Sequence, residues 1–399
     1  MVVTNAAPSS LQALTAAALL LPGLTCPPAR ADEGNDVAFQ YGRYQEGDRK
    51  LFSVPNSLKP IAVDSLRGVS RITLGDENEL TVSFSQDTWS GATPITTAPL
   101  TLGGNRPIQT GPPGQLITVG ASPMINGRIL LDRQFQPIQI DPSTGKPIGQ
   151  DQRVHTLSSA SPETRRQLDV QLTHRIDSGR WELGGGASSE RDYESRFVSL
   201  GRRWDLNQNL TTLSLALSHT QSDTAATLDH DAAPYITKTA YLGQIDQTGA
   251  AQILRGHRRD WGASAGLTQV LAKGTLLDAS VGFTHDSGYL ANPYKVMSVV
   301  FADPASLDAA SGVMTGDVQA LLEQRPKVRN QWTLGGRIVQ YVPSMDAALH
   351  LGYQFHHDDW GVNAHTVEAD WGQLLGNGWV LTPRLRYYSQ SAADFYSSY

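Results

Sequence analysis

Apolar and polar side chains alternate one by one along much of this chain. In NLTTLSLALSHT, which begins at Asn209, Leu213, Leu215 and Leu217 interleave with Ser214, Ala216 and Ser218, and no charge interrupts the run. Successive side chains of a strand point to opposite faces, so the run predicts a strand with one apolar face and one small, polar face. LLDASVGFTHD repeats the pattern, with Leu277, Ala279, Val281 and Phe283 opposed to Asp278, Ser280, Gly282 and Thr284. AALHLGYQF repeats it again, with Ala347, Leu349, Leu351, Tyr353 and Phe355 opposed to Ala348, His350, Gly352 and Gln354. Alternation and turn signals together place strands near 36–45, 59–74, 79–89, 165–177, 180–190, 196–206, 209–219, 254–271, 275–286, 328–342, 346–357, 362–373 and 377–389. The segment GDVQALLEQRP predicts a short helix over 316–326, capped by Asp317 and stopped before Pro326.

The connections fall into two kinds that alternate. Tight ones lie at 74–79, 176–180, 206–209, 271–275, 342–346 and 374–379, and the others include long segments at 90–163, 220–253 and 287–327. Outer-membrane barrels have short periplasmic turns and long outer loops, whereas a sandwich has no reason to segregate them. The expected fold class is therefore all-β, an antiparallel transmembrane β-barrel with about 13 strands in this chain. The faces support it, because a charge at the lipid midplane of such a barrel costs about 2–4 kcal/mol, and the apolar faces of the three strands quoted carry none. Charges go to the other face: Asp169, Arg175, Glu182, Asp278, Arg337, Glu368, Asp370, Arg384 and Arg386 are the expected lining of a wet or salt-bridged lumen. Trp181, Trp261, Trp332, Trp371 and Trp379 fall near strand ends on the apolar side, as an aromatic girdle requires. RFVSLGRRWDLN fits less well: Arg202 shares a face with Val198, Leu200 and Trp204, unless the register slips by one residue.

Composition narrows the class further. With 18% charged residues, a net charge of −6 and no clustered Lys and Arg, nucleic acid is not a partner. Beyond the N-terminus no segment approaches the run of about 20 apolar residues that a spanning helix needs. The N-terminus has an apolar core from Leu11 to Leu24, then Ala29-Arg30-Ala31 before Asp32, which reads as a cleaved signal peptide over 1–31 although no Lys or Arg precedes the core. Cys26, the single cysteine, lies inside that segment, and Leu24-Thr25-Cys26 makes a poor lipidation box. An exported mature chain without disulfides needs another source of stability, and a large closed sheet supplies one.

Several residues could carry chemistry. QFHHDDWGVNAH gathers His356, His357, Asp358, Asp359 and His365 at one outer turn, and imidazole with carboxylate suits a divalent transition metal. Against this, alternation sends neighbouring His356 and His357 to opposite faces, and a solvated turn explains the cluster equally. Asp229, His230 and Asp231 offer a calcium reading but lack a dedicated loop pattern. For an outer-rim hydrolase, His219 and His285 lie beside Ser218 and Asp286, yet adjacency in a strand separates the partners. Gly184, Gly185 and Gly186 precede a strand rather than a helix, so they relieve crowding or bend the sheet instead of cradling phosphate. No haem or iron-sulfur cysteines occur, no cofactor is expected, and the chain reads as non-enzymatic. The Pro- and Gly-rich 90–163 segment is read as a lumen-constricting or partner-binding loop, or else as mobile surface.

DTWSGATP at 87–94, SSERDYESR at 188–196, GYLANPYKV at 288–296, RNQW at 329–332, DDWGVNAHTVEADW at 358–371 and GWVLTPRLRYYSQSAADFY at 378–396 resemble the outer-membrane family catalogued as domain of unknown function 3570. The resemblance implies an exported outer-membrane protein of unassigned biochemistry, associated with extracytoplasmic flavin and electron-transfer gene sets. It also implies about three further strands beyond SAADFY, making 14 to 16 in the complete protein, with 32–399 as a C-terminally truncated barrel domain. It carries over no catalytic residue. Three functional readings stand: a passive porin-like channel, a scaffold for an electron-transfer or flavin-linked partner, and an outer-rim hydrolase. The expected partners are outer-membrane lipid, the barrel-assembly machinery and a periplasmic or lipoprotein partner. A soluble β-sandwich is the structural alternative.

Overall fold

The computed structural model describes residues 35–47, 61–90, 95–99, 107–109, 116–119, 126–141, 143–144, 146–150, 153–157, 163–228, 241–249, 251–294, 296–376 and 378–395. The expected leader over 1–31 and the Asp229, His230, Asp231 trio lie outside them. Alternation becomes one antiparallel sheet in which strands lie side by side in chain order. They are Asp36–Gln45, Ala62–Leu74, Asn78–Ser90, Glu163–Ile176, Gly179–Ser189, Tyr193–Leu206, Thr211–Leu228, Ala251–Ala272, Thr275–Gly288, Val328–Val342, Ala347–Asp358 and Asn363–Gly376. A thirteenth line, Trp379–Leu381 followed by Arg384–Gln390, completes the row. Pro383 interrupts that line because it has no N–H to donate, while its carbonyl still accepts from the Trp371 amide at 3.1 Å. All thirteen expected strands are present. Among the described residues, the first and last are not hydrogen-bonded to each other.

Two strands run further than their apolar alternation. Thr211–Leu228 and Ala251–Ala272 stay in register as far as Leu228 opposite Gln252, and the second is 22 residues long. A hairpin that leaves the membrane no longer needs an apolar face, so SDTAATL continues as strand without the sequence signal. At the tight end, Asn207, Gln208 and Asn209 turn the chain with φ of 51°, 57° and 66°, in a region that asparagine tolerates better than most residues. Gly179 opens the neighbouring strand at φ +134°, where a Cβ would stand 2.0 Å from the Arg203 carbonyl oxygen. No larger residue fits there.

The apolar side of this wall is exposed. Phe84, Leu168, Leu183, Leu200, Leu217, Leu334, Leu351 and Leu385 all project from it, an apolar surface far larger than soluble monomers tolerate. A soluble sandwich would bury this face against a second sheet, and the buried apolar clusters lie elsewhere, in the outer segments. Register does not slip at RFVSLGRRWDLN: Arg202 pairs with Trp181 on one side and Leu215 on the other, and stays on the apolar face.

The described parts of the long outer segments are themselves folded. Val296–Asp303, Met314–Leu322, Asn126–Leu131, Pro137–Ile140 and Pro147–Gln150 form a five-stranded sheet in that order. Ile95–Pro99, Arg153–Leu157, Leu116–Val119 and Pro107–Gln109 form a second, four-stranded one. The helix expected over 316–326 is absent, and Met314–Leu322 is a central strand instead. Local helix propensity lost to burial: Met314, Val318 and Leu322 share one face and are almost fully enclosed, which pairing on both sides secures. Asp317 is not a helix cap but ion-pairs with Arg128 at 3.3 Å. Ile129, Leu131, Met314 and Val318 form one small core. Leu228, Tyr241, Leu254, Tyr289 and Leu322 form another, joining this outer layer to the protruding hairpin.

Candidate functional site

Opposite the leucines, the register collects the charged side chains. All nine residues expected to line a lumen fall on this face, and most meet partners there. Asp169 accepts from Ser83 Oγ at 3.1 Å and from Gln167 Nε2 at 2.8 Å. Arg175 donates to Glu79 at 2.9 Å, and Arg180 to Glu182 at 2.5 Å. Asp278 accepts from Thr268 at 2.7 Å and stands across from Arg337. Arg386 pairs with Glu368 at 3.3 Å, while Asp370 lies 2.5 Å from His350 Nδ1 and 3.9 Å from Arg384. Exposed pairs of this kind contribute about 0–1 kcal/mol each, so they set the electrical character of the face more than its stability.

Between the charged ends the same face is small and smooth. A Cβ on Gly184, Gly262, Gly266 or Gly335 would meet the hydroxyl of Ser199, Ser218, Ser214 or Ser280 at 2.5–2.6 Å. Any larger residue there would make the facing serine hydroxyl move aside. At Gly186 a Cβ would meet the Leu168 carbonyl at 2.5 Å and the Phe197 ring at 2.7 Å, so this glycine does relieve crowding.

Near the outer end the polar face closes into a buried network that sequence reading alone does not assemble. Arg258 Nε donates to Asp260 at 2.7 Å, and its Nη2 lies 3.3 Å from Asp286, which is 2% exposed. Gln331 Nε2 donates to Asp286 at 2.5 Å, and Tyr193 OH to Ser222 at 2.8 Å. The signal was RGHRRD, where Arg258 and Asp260 share a face two residues apart. Recognising it needs the pairing of Asp260 with Asp286.

The four metal candidates do not converge. His356 is on the polar face and His357 on the other, where its Nδ1 meets Asn363 Oδ1 at 2.9 Å. Asp358, fully buried, is 3.8 Å from His356 but accepts from Arg329 Nε at 2.8 Å and from the Trp360 and Val362 amides at 3.0 and 2.9 Å. Asp359 accepts from the Asn330 amide at 2.9 Å and from its side chain at 2.6 Å. His365 stands apart, 2.8 Å from Tyr353 OH. Among the described residues no group of three or more such ligands gathers. The hydrolase candidates separate likewise: His219 stacks on Trp261 at 4.1 Å and His285 meets Asn330 Oδ1 at 2.8 Å, on the face opposite Ser218 and Asp286.

At the outer turn 190–192, Glu190 is pushed up to about 7 by burial, with Asp192 and Glu163 adding to the shift and Arg165 opposing it. Its folded value exceeds its unfolded one, so the folded state binds the proton more tightly and stability falls as pH rises from about 4.5 to about 7. Glu190→Gln is expected to flatten that part of a denaturation-midpoint profile, and an unchanged slope would contradict the assignment.

Strands about the length that crosses a bilayer, tight turns at one end, folded segments at the other and an exposed apolar face together make this an outer-membrane protein of the β-barrel class. The family model described as "Protein of unknown function (DUF3570)" matches residues 11–399. No curated protein matches. Among solved structures, the chain is similar to a mutant of the ferric enterobactin receptor of Pseudomonas aeruginosa, at 9% identity and a TM-score of 0.40, over 88% of this chain and 43% of that one. OmpT, an outer membrane protein of Vibrio cholerae, matches at 8% identity and 0.34, over 90% and 89%. A BenF-like porin of Pseudomonas fluorescens matches at 8% and 0.26, over 90% and 92%. The chain thus spans less than half the length of the receptor, and these likenesses assign it no activity.

Proposed function

Because the chain belongs to the DUF3570 family, for which no activity is described, its function has to come from its own surfaces, and we propose that it is a passive, porin-like channel of the outer membrane. The observation that carries this is the division of the wall into two faces. One face is apolar and exposed, and the other is a field of compensated ion pairs around a smooth Gly/Ser surface. A water-filled passage for small polar solutes needs such a lining: polar, wetted and carrying charges of both signs. The reading includes no catalytic step and no cofactor. Its partners are the surrounding lipid and the barrel-assembly machinery that inserts it.

Single-channel recording of the full-length protein in planar bilayers tests it. Large, steady, ohmic steps are the expected result. A folded, inserted protein that stays silent would overturn the channel and favour a second reading, a scaffold for a periplasmic, lipoprotein or flavin-linked electron-transfer partner. The Gly/Ser surface supports that alternative too, since small residues let another backbone approach closely.

A further inference from the structure

Toward the tight turns, one charge among the described residues stands on the apolar face. Arg202 projects from the apolar side, yet it is only 8% exposed. Its guanidinium carbon lies 5.0 Å from the centre of the Trp181 ring and 5.2 Å from that of Trp204. Among the described residues it has no hydrogen-bond or ion-pair acceptor, and Nη1 is enclosed without a partner. Such a group in an apolar surface calls for an anion. From Arg202 a groove of about 570 Å³ runs across the lipid-facing surface, past Leu215 and Ala265 to Phe283 and Trp332. Trp181, Leu200, Trp204 and Leu217 line it together with the small side chains of Ala263 and Ala265.

Height in the membrane identifies the occupant. Arg202 is four residues from Leu206, where its strand reaches the tight turn at 207–210. With a rise of roughly 3.3 Å per residue and a strand tilt of about 40°, it lies on the order of 10 Å from that turn. With the tight turn just clear of the membrane surface, that is the depth of the periplasmic leaflet's headgroups, the level that aromatic girdles mark. We propose that the Trp181–Arg202–Trp204 sandwich and its groove bind one anionic phospholipid of the periplasmic leaflet. The phosphate accepts from the guanidinium fork and an acyl chain lies along Leu215, Ala265 and Phe283. The indoles flank the guanidinium, and the flexible arginine stem lets it tip toward the headgroup at the mouth of the groove. The proposal rests on the outer-membrane placement and is independent of the channel.

Native mass spectrometry of the full-length protein, released from detergent after incubation with phosphatidylglycerol or phosphatidylcholine, provides the test. The wild type is expected to retain one phosphatidylglycerol in preference to phosphatidylcholine. Arg202→Gln should lower that retention at least tenfold, and Arg202→Lys, which keeps the charge but loses the planar fork, should retain an intermediate amount. Arg337→Gln, which removes a cation from the opposite face, should leave retention unchanged. Glycerol phosphate, a headgroup without a chain, should not be retained. Equal retention by wild type and Arg202→Gln would overturn the proposal, as would a folded wild type that retains neither lipid or both equally. If Arg202→Gln fails to fold, the comparison of Arg202→Lys with wild type decides by the same criterion. A protein that does not enter bilayers at all would overturn the membrane reading instead, which the lipid-retention ratio of inserted protein does not measure.

Discussion

Asp358→Ala is expected to cost about 3–5 kcal/mol of stability, the range for breaking a buried ion pair by removing one partner. Asp358 has no solvent exposure, and its carboxylate faces Arg329, whose side chain is 16% exposed. One oxygen takes Arg329 and the other takes the Trp360 and Val362 amides, so one side chain both neutralises a buried cation and shapes the turn at 359–362. Removing it strands the guanidinium beneath the Trp360 ring, 4.7 Å from its centre. Asp358→Asn keeps an acceptor for the turn while losing the charge, and should fall between alanine and wild type. Arg329→Met combined with Asp358→Asn should recover part of the loss, because the uncompensated charge is then gone. Urea titration of the folded protein in vesicles measures these differences, and a loss under about 1 kcal/mol for the alanine variant would mean that the pair is not buried in the working protein.

Leu217→Arg and Ser218→Arg, one residue apart, are expected to differ sharply. Leu217 is 59% exposed on the apolar face. If water lay there, adding a charge would change stability by no more than about 0.5 kcal/mol, but near the middle of a bilayer it costs about 2–4 kcal/mol. Ser218 points the other way, over Gly262, where an arginine meets polar neighbours and solvent. Insertion yield into vesicles should fall for the first variant and hold for the second. Equal behaviour would remove the basis for calling one face lipid-facing.

The wall was legible in the sequence because period-two alternation is a property of each strand alone. Leu213 to Ser218, Leu277 to Thr284 and Ala347 to Phe355 each announce a face before any partner is known. What was not legible depends on partners far along the chain. Met314–Leu322 reads as helix locally, and only pairing with Asn126–Leu131 and Val296–Asp303 makes it a strand. The cluster at 356–359 looked convergent because its residues are adjacent, but adjacency in a strand is what sends His356 and His357 apart. Asp286 reads from sequence only as a neighbour of His285, because a register, not a motif, unites it with Arg258 and Asp260. Arg202 was visible as a misfit, and the Trp181 ring that holds it belongs to the neighbouring strand.

The outer five-stranded sheet has a bearing on how the molecule is made. Its central pairing joins residues as far apart as Arg128 and Asp317, 189 positions along the chain. Contacts that close so long a loop form late, since the entropy of bringing the ends together is lost before any pairing repays it. Most of the wall must already stand before the two halves of this sheet meet. A binder raised against the paired surface would therefore recognise finished molecules alone, and its rate of appearance at the cell surface would time the last step of assembly.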